Sequence, residues 1–235
     1  MKKLNLIILL LVILISTSAW NWNTHQNIAL KVYNDFQPQL QFKLNSTLIR
    51  EGSIAPDKDF HDNVLHHYPP SYKKALYWMD ILNNSLKAQD YENASYAFGV
   101  ITHYLSDSFA SPHAVAKEPY DLHAKFEKQP TNYISKTKCA QYNLNINETL
   151  YEYSQKGQQD WNNWLKTNSD SIPKNEVDSS IRLIYSFSLK TFNTTCAEKT
   201  QIIKAKYFIT PRIILYFIIL IILITSIIIS IKKSS

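Results

Sequence analysis

The sequence predicts an all-α fold, with one compact helical domain over about residues 20–200. Only three glycines occur in 235 residues. Apolar residues recur at helical spacing, and no stretch alternates convincingly in the manner of a strand. Proline residues separate the periodic segments, as expected at helix boundaries. A first helix opens at His25, and further helices are predicted over residues 71–89, 91–109, 145–166 and 175–192.

Residues 1–19 have the organisation of a signal peptide. Lys2 and Lys3 precede an apolar run over residues 6–15, and a group of small residues ends at Ala19. The run is too short to cross a bilayer, and this order is typical of a secretory signal with a cleavage site. Cleavage after Ala19 would make Trp20 the first residue of the mature protein. An uncleaved signal anchor is the alternative.

The other end of the chain predicts a membrane anchor. Residues 213–231 are almost entirely Ile, Leu, Phe and Tyr, and at about 1.5 Å per residue they reach roughly 28 Å, close to the hydrocarbon thickness of a bilayer. Because the segment is apolar on every face, a buried core helix is the weaker interpretation. Lys232 and Lys233 follow directly and are expected on the cytosolic side. We therefore expect a single-pass protein of the cell membrane, with an extracellular N-terminal domain, a stalk over 201–212 and a cytosolic tail over 232–235.

The charge balance gives no support for a nucleic-acid partner. The formal net charge is +6, but it falls to +4 without Lys2 and Lys3 and to +2 when Lys232 and Lys233 are also set aside. A value this small carries no argument for binding a polyanion. No specific protein partner is evident in the sequence either.

Two features of the predicted exported region depend on its compartment. Cys139 and Cys196 either form one disulfide, as is common outside the cytosol, or remain two thiols. The region also predicts a glycoprotein, because it contains Asn-x-Ser/Thr sequons. The sequons begin at Asn45, Asn83, Asn93, Asn147 and Asn193.

Candidate metal ligands are concentrated in the stretch HYLSDSFASPH. His103 and Asp107 are four residues apart and therefore share one face of a helix. Pro112 ends that helix, so that His113 enters from the following turn. Ten residues later, His123 and Glu127 repeat the four-residue spacing.

Further candidates precede this stretch. They are His25 at the first helix, Asp57 in GSIAPDKDFH, and the adjacent His66 and His67. A mixture of imidazoles and carboxylates is what zinc accepts. Each residue alone has an ordinary alternative as a surface or satisfied core group, and it is their joint occurrence that predicts a metal site.

With these motifs the chain resembles the bacterial zinc-dependent phospholipases C and the related fungal single-strand nucleases. The shared motif is His-x3-Asp-x5-His, which stands here as His103, Asp107 and His113, followed by His-x3-Glu at His123 and Glu127. The resemblance implies an all-helical domain that holds three zinc ions. It also implies that the mature chain begins with a tryptophan whose amine and carbonyl bind zinc, a position that Trp20 would occupy.

The resemblance also implies how the ligands are shared. Asp107 would bridge two ions, and His66 and His67 remain alternatives for one position. His61 has no matching position and is expected at the surface. The implied sets are Trp20, His25 and Asp107; Asp57, His66 or His67, His103 and Asp107; and His113, His123 and Glu127.

The implied activity is hydrolysis of a phosphodiester by a zinc-activated water, with Asp57 as the residue that orients or deprotonates this water. The membrane anchor and the nearly neutral domain favour a phospholipid substrate over a polynucleotide. Two alternatives remain, a single-strand zinc nuclease or other phosphoesterase, and a non-catalytic surface module stabilised by zinc. The spacing from Trp20 to His25 is that of the nucleases, whereas Glu127 is typical of the phospholipases.

Overall fold

The computed structural model describes residues 21–197, and within that range the chain is helical, with one isolated β-bridge and no strand. A π-helical turn spans Pro56–Phe60, and 3-10 helices span Asn63–Leu65 and Ser111–Ala114. The α-helices of these residues are α1 (Trp22–Asn34), α2 (Pro38–Gln41), α3 (Ser46–Gly52), α4 (Pro70–Lys87), α5 (Tyr91–Asp107), α6 (Tyr120–Lys128), α7 (Ile146–Thr167) and α8 (Ser171–Thr191).

Side-chain caps define where several helices begin. The carboxylate of Asp90 accepts a hydrogen bond from Asn93 N at 3.0 Å, and the side chain of Asn145 accepts one from Glu148 N at 3.1 Å. Such caps satisfy amide groups that the first helical turn leaves without partners. The helix α8 begins four residues before its predicted start at 175, because Pro173 lies in the first turn, where no N–H group is needed.

The helix α5 lies at the centre of the domain and packs against α1, α3, α4 and α8. Close contact with α3 depends on two glycines. A Cβ atom on Gly99 would lie 2.2 Å from the carbonyl oxygen of Ile49, and one on Gly52 would lie 2.2 Å from that of Tyr96. The two backbones therefore approach more closely than any side chain would allow. This contact fixes the position of the C-terminal half of α5, which carries His103 and Asp107.

The end of the described chain is tied back to α1. A disulfide joins Cys139, in the extended segment between α6 and α7, to Cys196 beyond α8. Cys196 also forms an antiparallel bridge with Phe36, and Ala197 N donates to Asp35 O at 2.8 Å. Of the two interpretations of the cysteines, the structure shows the disulfide.

The predicted terminal segments lie outside the described residues. This applies to the signal peptide over 1–19, to Trp20, and to the stalk, anchor and tail over 201–235. Among the helices between residues 21 and 197, none combines the length and hydropathy that a bilayer-spanning segment requires.

Candidate metal centre

The cluster of predicted ligands is built where four segments meet. The last turn and a half of α5 place His103 and Asp107 on one face, and both side chains are fully buried. His25, from the first turn of α1, lies against them. The π-helical turn supplies Asp57, and the residue after the short 3-10 helix Asn63–Leu65 is His66.

Asp107 occupies the middle of this cluster. Its Oδ1 lies 3.2 Å from Nε2 of His25. Its Oδ2 lies 2.8 Å from Nδ1 of His66 and 3.1 Å from Nε2 of His103. A single carboxylate thus contacts imidazoles from three separate segments, which is the arrangement that a bridging ligand requires.

Asp57 lies near two of the same nitrogens. Its Oδ1 lies 3.6 Å from Nδ1 of His66 and 3.6 Å from Nε2 of His103. The distances are too long for direct hydrogen bonds. The space enclosed by these atoms is bounded by two carboxylates and by ring nitrogens.

His113, His123 and Glu127 form a second part of the cluster. Glu127 Oε1 is 2.7 Å from Nε2 of His123 and 3.3 Å from Nε2 of His113. The neighbouring residue Phe126 is buried against Trp161 and Trp164 of α7, with ring centroids 5.7 Å and 5.2 Å away. This apolar contact fixes the rotation of α6 and turns the carboxylate of Glu127 towards His113.

Hydrogen bonds on the outer side of the rings determine which nitrogen faces inward. His103 Nδ1 donates to the carbonyl oxygen of Ser53 at 2.8 Å. Ser106 donates its hydroxyl proton to His103 O, so its Oγ accepts from Nδ1 of His25 at 3.0 Å. In the neutral state both Nε2 atoms therefore carry lone pairs that face Asp107. The lone pairs repel the carboxylate of Asp107 unless a proton or a metal ion lies between each nitrogen and the carboxylate.

Two carboxylates that the sequence analysis did not identify act in the same way. Asp62 Oδ1 accepts from Nε2 of His66 at 3.3 Å, and its other oxygen accepts from the Tyr104 hydroxyl at 2.5 Å. Glu118 Oε1 lies 2.8 Å from Nδ1 of His123. Oxygen partners of this kind orient the histidines of metal sites. Asp62 and His66 have the four-residue spacing used elsewhere in the motif, so this pair was detectable, whereas no spacing indicated Glu118.

Burial and close charges alter the acidity of the cluster. Burial raises the pKa of Asp57 to about 7. Burial would also raise the pKa of Asp107, but the surrounding imidazoles outweigh it and hold this pKa well below its usual range. Burial opposes protonation of His66 and His123, yet their carboxylate neighbours raise the two pKa values to about 10 and about 9. In the metal-free protein, protons compensate the buried carboxylates.

The residues present fit a zinc site. The buried polar atoms that make no hydrogen bond of acceptable geometry among the described residues include both carboxylate oxygens of Asp57 and of Asp107, Nδ1 of His66, and Nε2 of His103 and of His113. Burying such groups without well-formed hydrogen bonds costs on the order of several kcal/mol. A bound cation would remove that cost. Imidazoles with carboxylates are also the donor set that zinc prefers.

In each of three groups of side chains, the ligand atoms lie within 4.8 Å of one another. The groups are His25, Asp57 and His103; His66, Asp107 and His113; and His113, His123 and Glu127. The last group has the members that the sequence analysis proposed for one ion. The first two differ from the proposed sets: the second shares His113 with the last, and Asp107 is close enough to both of the first two to be shared.

His66 and His67 occupy different environments. The side chain of His66 is buried within the cluster, whereas His67 is exposed and belongs to none of the three groups. Adjacent residues in a turn point in different directions, so tertiary packing alone distinguishes them. His61 is also exposed. Trp20 lies outside the described residues.

A cleft of about 500 Å³ opens beside His113. The residues that line it include His67, Tyr68 and Glu118, together with Ser154 and Gln155 of α7. The metal centre therefore has an adjoining cavity large enough for a small ligand.

Comparison with known proteins agrees with this architecture. None of the curated proteins matches the sequence. The family model described as zinc dependent phospholipase C matches residues 24–190, a range that includes every predicted ligand except Trp20. On the strength of this match, which covers most of the helical domain, the chain belongs to the zinc-dependent phospholipase C family.

Proposed function

We propose that the protein is a membrane-anchored, outward-facing phosphodiesterase with three zinc ions, and that it hydrolyses phospholipid headgroups in the manner of a phospholipase C. The observation that carries the proposal is the group of buried carboxylate oxygens and ring nitrogens that converge without hydrogen bonds of acceptable geometry, next to a cleft. Structural zinc sites usually close all four positions with protein ligands. A carboxylate-rich cluster with shared residues leaves positions open for substrate and water.

The proposed ligands are the residues that surround the cluster. Asp107 is the candidate for a bridging ligand, because its two oxygens contact imidazoles of different segments. Zinc held by these groups would lower the pKa of water and neutralise negative charge on a phosphoryl group. The remaining ligands are His25, Asp57, His66, His103, His113, His123 and Glu127, together with the amine and carbonyl of Trp20 if the signal peptide is removed.

Asp57 is proposed to orient the attacking water and to accept its proton. Both of its carboxylate oxygens are buried at the cluster and have no hydrogen-bond partner among the described residues. In the reaction, the water oxygen bonds to phosphorus and the bond from phosphorus to the glycerol oxygen breaks. The proton taken up by Asp57 passes to the departing oxygen. The products are a phosphorylated headgroup and a diacyl- or dialkylglycerol-type lipid.

The cleft supports a lipid rather than a polynucleotide as substrate. Of the described residues that line it, none is lysine or arginine, and Glu118 contributes a carboxylate. A nucleic-acid groove usually carries cationic side chains that follow the phosphate backbone. A single phosphodiester would instead be neutralised at the metal centre.

Location at the membrane is part of the proposal and depends on segments outside the described residues. The apolar run over 213–231, followed by Lys232 and Lys233, supports a single C-terminal anchor. An anchor would keep the cleft at a high effective concentration of phospholipid headgroups. The disulfide between Cys139 and Cys196 is consistent with an exported domain.

A comparison of two substrates tests the proposal. The full chain would be expressed through a secretory route, so that its N-terminus is processed naturally, and purified with zinc. Turnover would be measured on phospholipid vesicles and on single-stranded DNA and RNA. We expect release of phosphorylated headgroups. Cleavage of the polynucleotide alone would make the protein a nuclease, and a zinc-loaded protein without activity on any phosphoester would support a non-catalytic module.

Two variants control this experiment. Asp107→Asn should abolish turnover and reduce the zinc content by about two ions, because a bridging ligand serves two sites. Asp90→Asn, at the other end of the same helix, should retain both, since asparagine caps a helix as well as aspartate does. Full zinc content in Asp107→Asn would contradict the bridging role.

A further inference from the structure

The short 3-10 helix Ser111–Ala114 presents His113 to the metal centre and is held from behind by two long helices. His113 belongs to two of the three ligand groups. Its own helix has only four residues, so its internal hydrogen bonds cannot fix the ring position. The contacts that do so must come from neighbouring elements.

The first of these contacts comes from Glu176 of α8. One carboxylate oxygen, Oε2, accepts a hydrogen bond from Ser111 N at 3.3 Å, and the other, Oε1, accepts one from the Ser111 hydroxyl. Both residues are almost completely buried, with Glu176 2% exposed. A buried carboxyl group far from water requires such partners. Ser111 precedes His113 by two residues, so the two bonds fix the start of the turn that carries the ring.

The second contact comes from Gly157 of α7. A Cβ atom at this position would lie 2.5 Å from the Cβ of Ala114. The absence of a side chain lets α7 support the turn directly. Ser111 and Ala114 are thereby held on either side of His113.

We propose that Glu176 is a positioning residue of the metal centre, which acts through Ser111 to hold His113 in its ligating position. The inference rests on the proposed zinc sites and not on the identity of the substrate. It assigns a role to a buried carboxyl group that none of the three ligand groups includes. Losing a group that is hydrogen-bonded directly to a metal ligand typically weakens metal binding by about 10- to 100-fold, and the effect of Glu176, which acts through Ser111, is expected near the lower end of that range.

The test compares three variants of α8 in the full chain. Glu176→Ala removes both hydrogen bonds to Ser111. Glu176→Gln has the same shape, and its amide can accept from Ser111 N and donate to the hydroxyl. Asp178→Ala is the matched control, because this carboxylate lies two residues away and accepts hydrogen bonds from Tyr133 and Ser135 in the segment between α6 and α7. Zinc affinity and stoichiometry would be measured by chelator competition, alongside thermal unfolding.

We expect Glu176→Ala to weaken zinc binding at the ligand groups that contain His113 by about 10-fold, with a loss of at least one zinc ion after dialysis. Glu176→Gln should restore most of this affinity. Asp178→Ala should lower the unfolding temperature and keep the zinc content of the wild type. The proposal is overturned if Glu176→Ala binds all its zinc normally, if glutamine does not rescue, or if Asp178→Ala loses the same ion.

A milder pair of variants covers the case in which Glu176→Ala does not fold. Ser111→Ala and Ser135→Ala each remove one hydroxyl that bonds to a carboxylate of α8. We expect only Ser111→Ala to weaken zinc binding, and equal affinities in both would overturn the proposal. Since the readout is zinc binding, the result stands even if the wild-type protein proves inactive on phospholipids, so the two proposals can fail separately.

Discussion

At the scale of single residues, the proposed metal centre depends on the two nitrogens of each imidazole having different partners. Ser53 and Ser106 accept the outer N–H groups of His103 and His25, and Asp62 accepts that of His66. The inner nitrogens then converge on Asp107. With the proposed zinc ligands, the same geometry would place protons and zinc in competition for one set of lone pairs.

This competition predicts that zinc affinity rises with pH. In the metal-free protein, neighbouring carboxylates overcome burial and raise the pKa of His66 to about 10 and that of His123 to about 9. Both rings are protonated below those values, and zinc must displace the protons. For each proton that zinc displaces, the zinc affinity should rise about 10-fold per pH unit, up to about pH 9. Chelator competition at several pH values would measure this slope, and calorimetry in buffers of different ionisation enthalpy would count the protons.

The exposed neighbour supplies the control. His67→Gln should leave the slope unchanged, because this ring lies outside the three ligand groups. A pH-independent affinity in the wild-type protein would contradict the proton competition. Loss of zinc in His67→Gln would show that His66 is not the ligand at this position.

Helix periodicity alone relates only some members of the candidate site, and His25, Asp57 and His113, which the structure also brings into the cluster, were predicted from the joint occurrence of ligands and the family resemblance. His103 with Asp107 and His123 with Glu127 are each one helical turn apart, and the structure brings each pair together. His66 and His67 could not be separated, because a change of direction within one turn is decided by tertiary packing. Glu118 and Glu176 remained undetected, since Glu118 contacts His123 from a loop and Glu176 contacts Ser111 from a helix distant in sequence.

At the scale of secondary-structure elements, the position of the metal centre depends on how closely α3 and α5 pack. Gly99 lies against the backbone of α3, and Ser53, the residue after α3, is the hydrogen-bond acceptor of His103. From the sequence, the scarcity of glycine indicated only helices. Which glycines mark helix contacts depends on the packing partner, which periodicity does not identify.

Gly99→Ala should therefore destabilise the protein. Alanine favours a helix by up to about 1 kcal/mol over glycine. However, the new Cβ would lie 2.2 Å from Ile49 O and 2.8 Å from Ser53 N, and overpacking against a backbone costs roughly 1 to 3 kcal/mol or more. Because the clash outweighs the helix propensity, we expect a lower free energy of unfolding in urea, together with weaker zinc binding through the displaced acceptor of His103.

Glu92→Ala is the matched control on the same helix. Glu92 is exposed in the first turn of α5, so the substitution introduces alanine without a clash and without altering a predicted sequon. It should leave both the unfolding free energy and the zinc affinity close to those of the wild type. If Gly99→Ala were as stable as the wild type, the close contact of α3 and α5 would not limit the packing.

At the scale of the whole molecule, the described chain is closed by contacts between parts that are distant in sequence. The fold class could be predicted from periodicity, because most of the long helices are amphipathic. The closure could not, since the positions of two cysteines do not establish whether they pair. The structure joins the segment between α6 and α7 to the end of α8 through Cys139 and Cys196, and Cys196 pairs in turn with Phe36 beside α1.

Removing this disulfide should lower stability without removing the metal centre. The bonded cysteines are 57 residues apart, and the chain-entropy estimate for a loop of that length is about 4 kcal/mol. None of the hydrogen bonds that orient the ligand imidazoles comes from the segments that the disulfide joins. The double variant Cys139→Ala/Cys196→Ala should therefore unfold at a lower urea concentration and, while folded, bind as much zinc as the wild type.

Wild-type protein reduced with a phosphine should match the variant, and the variant itself should not respond to the reductant. Equal stability of the variant and the oxidised wild type would contradict the prediction, and a loss of zinc in the folded variant would mean that the closure also supports the metal centre.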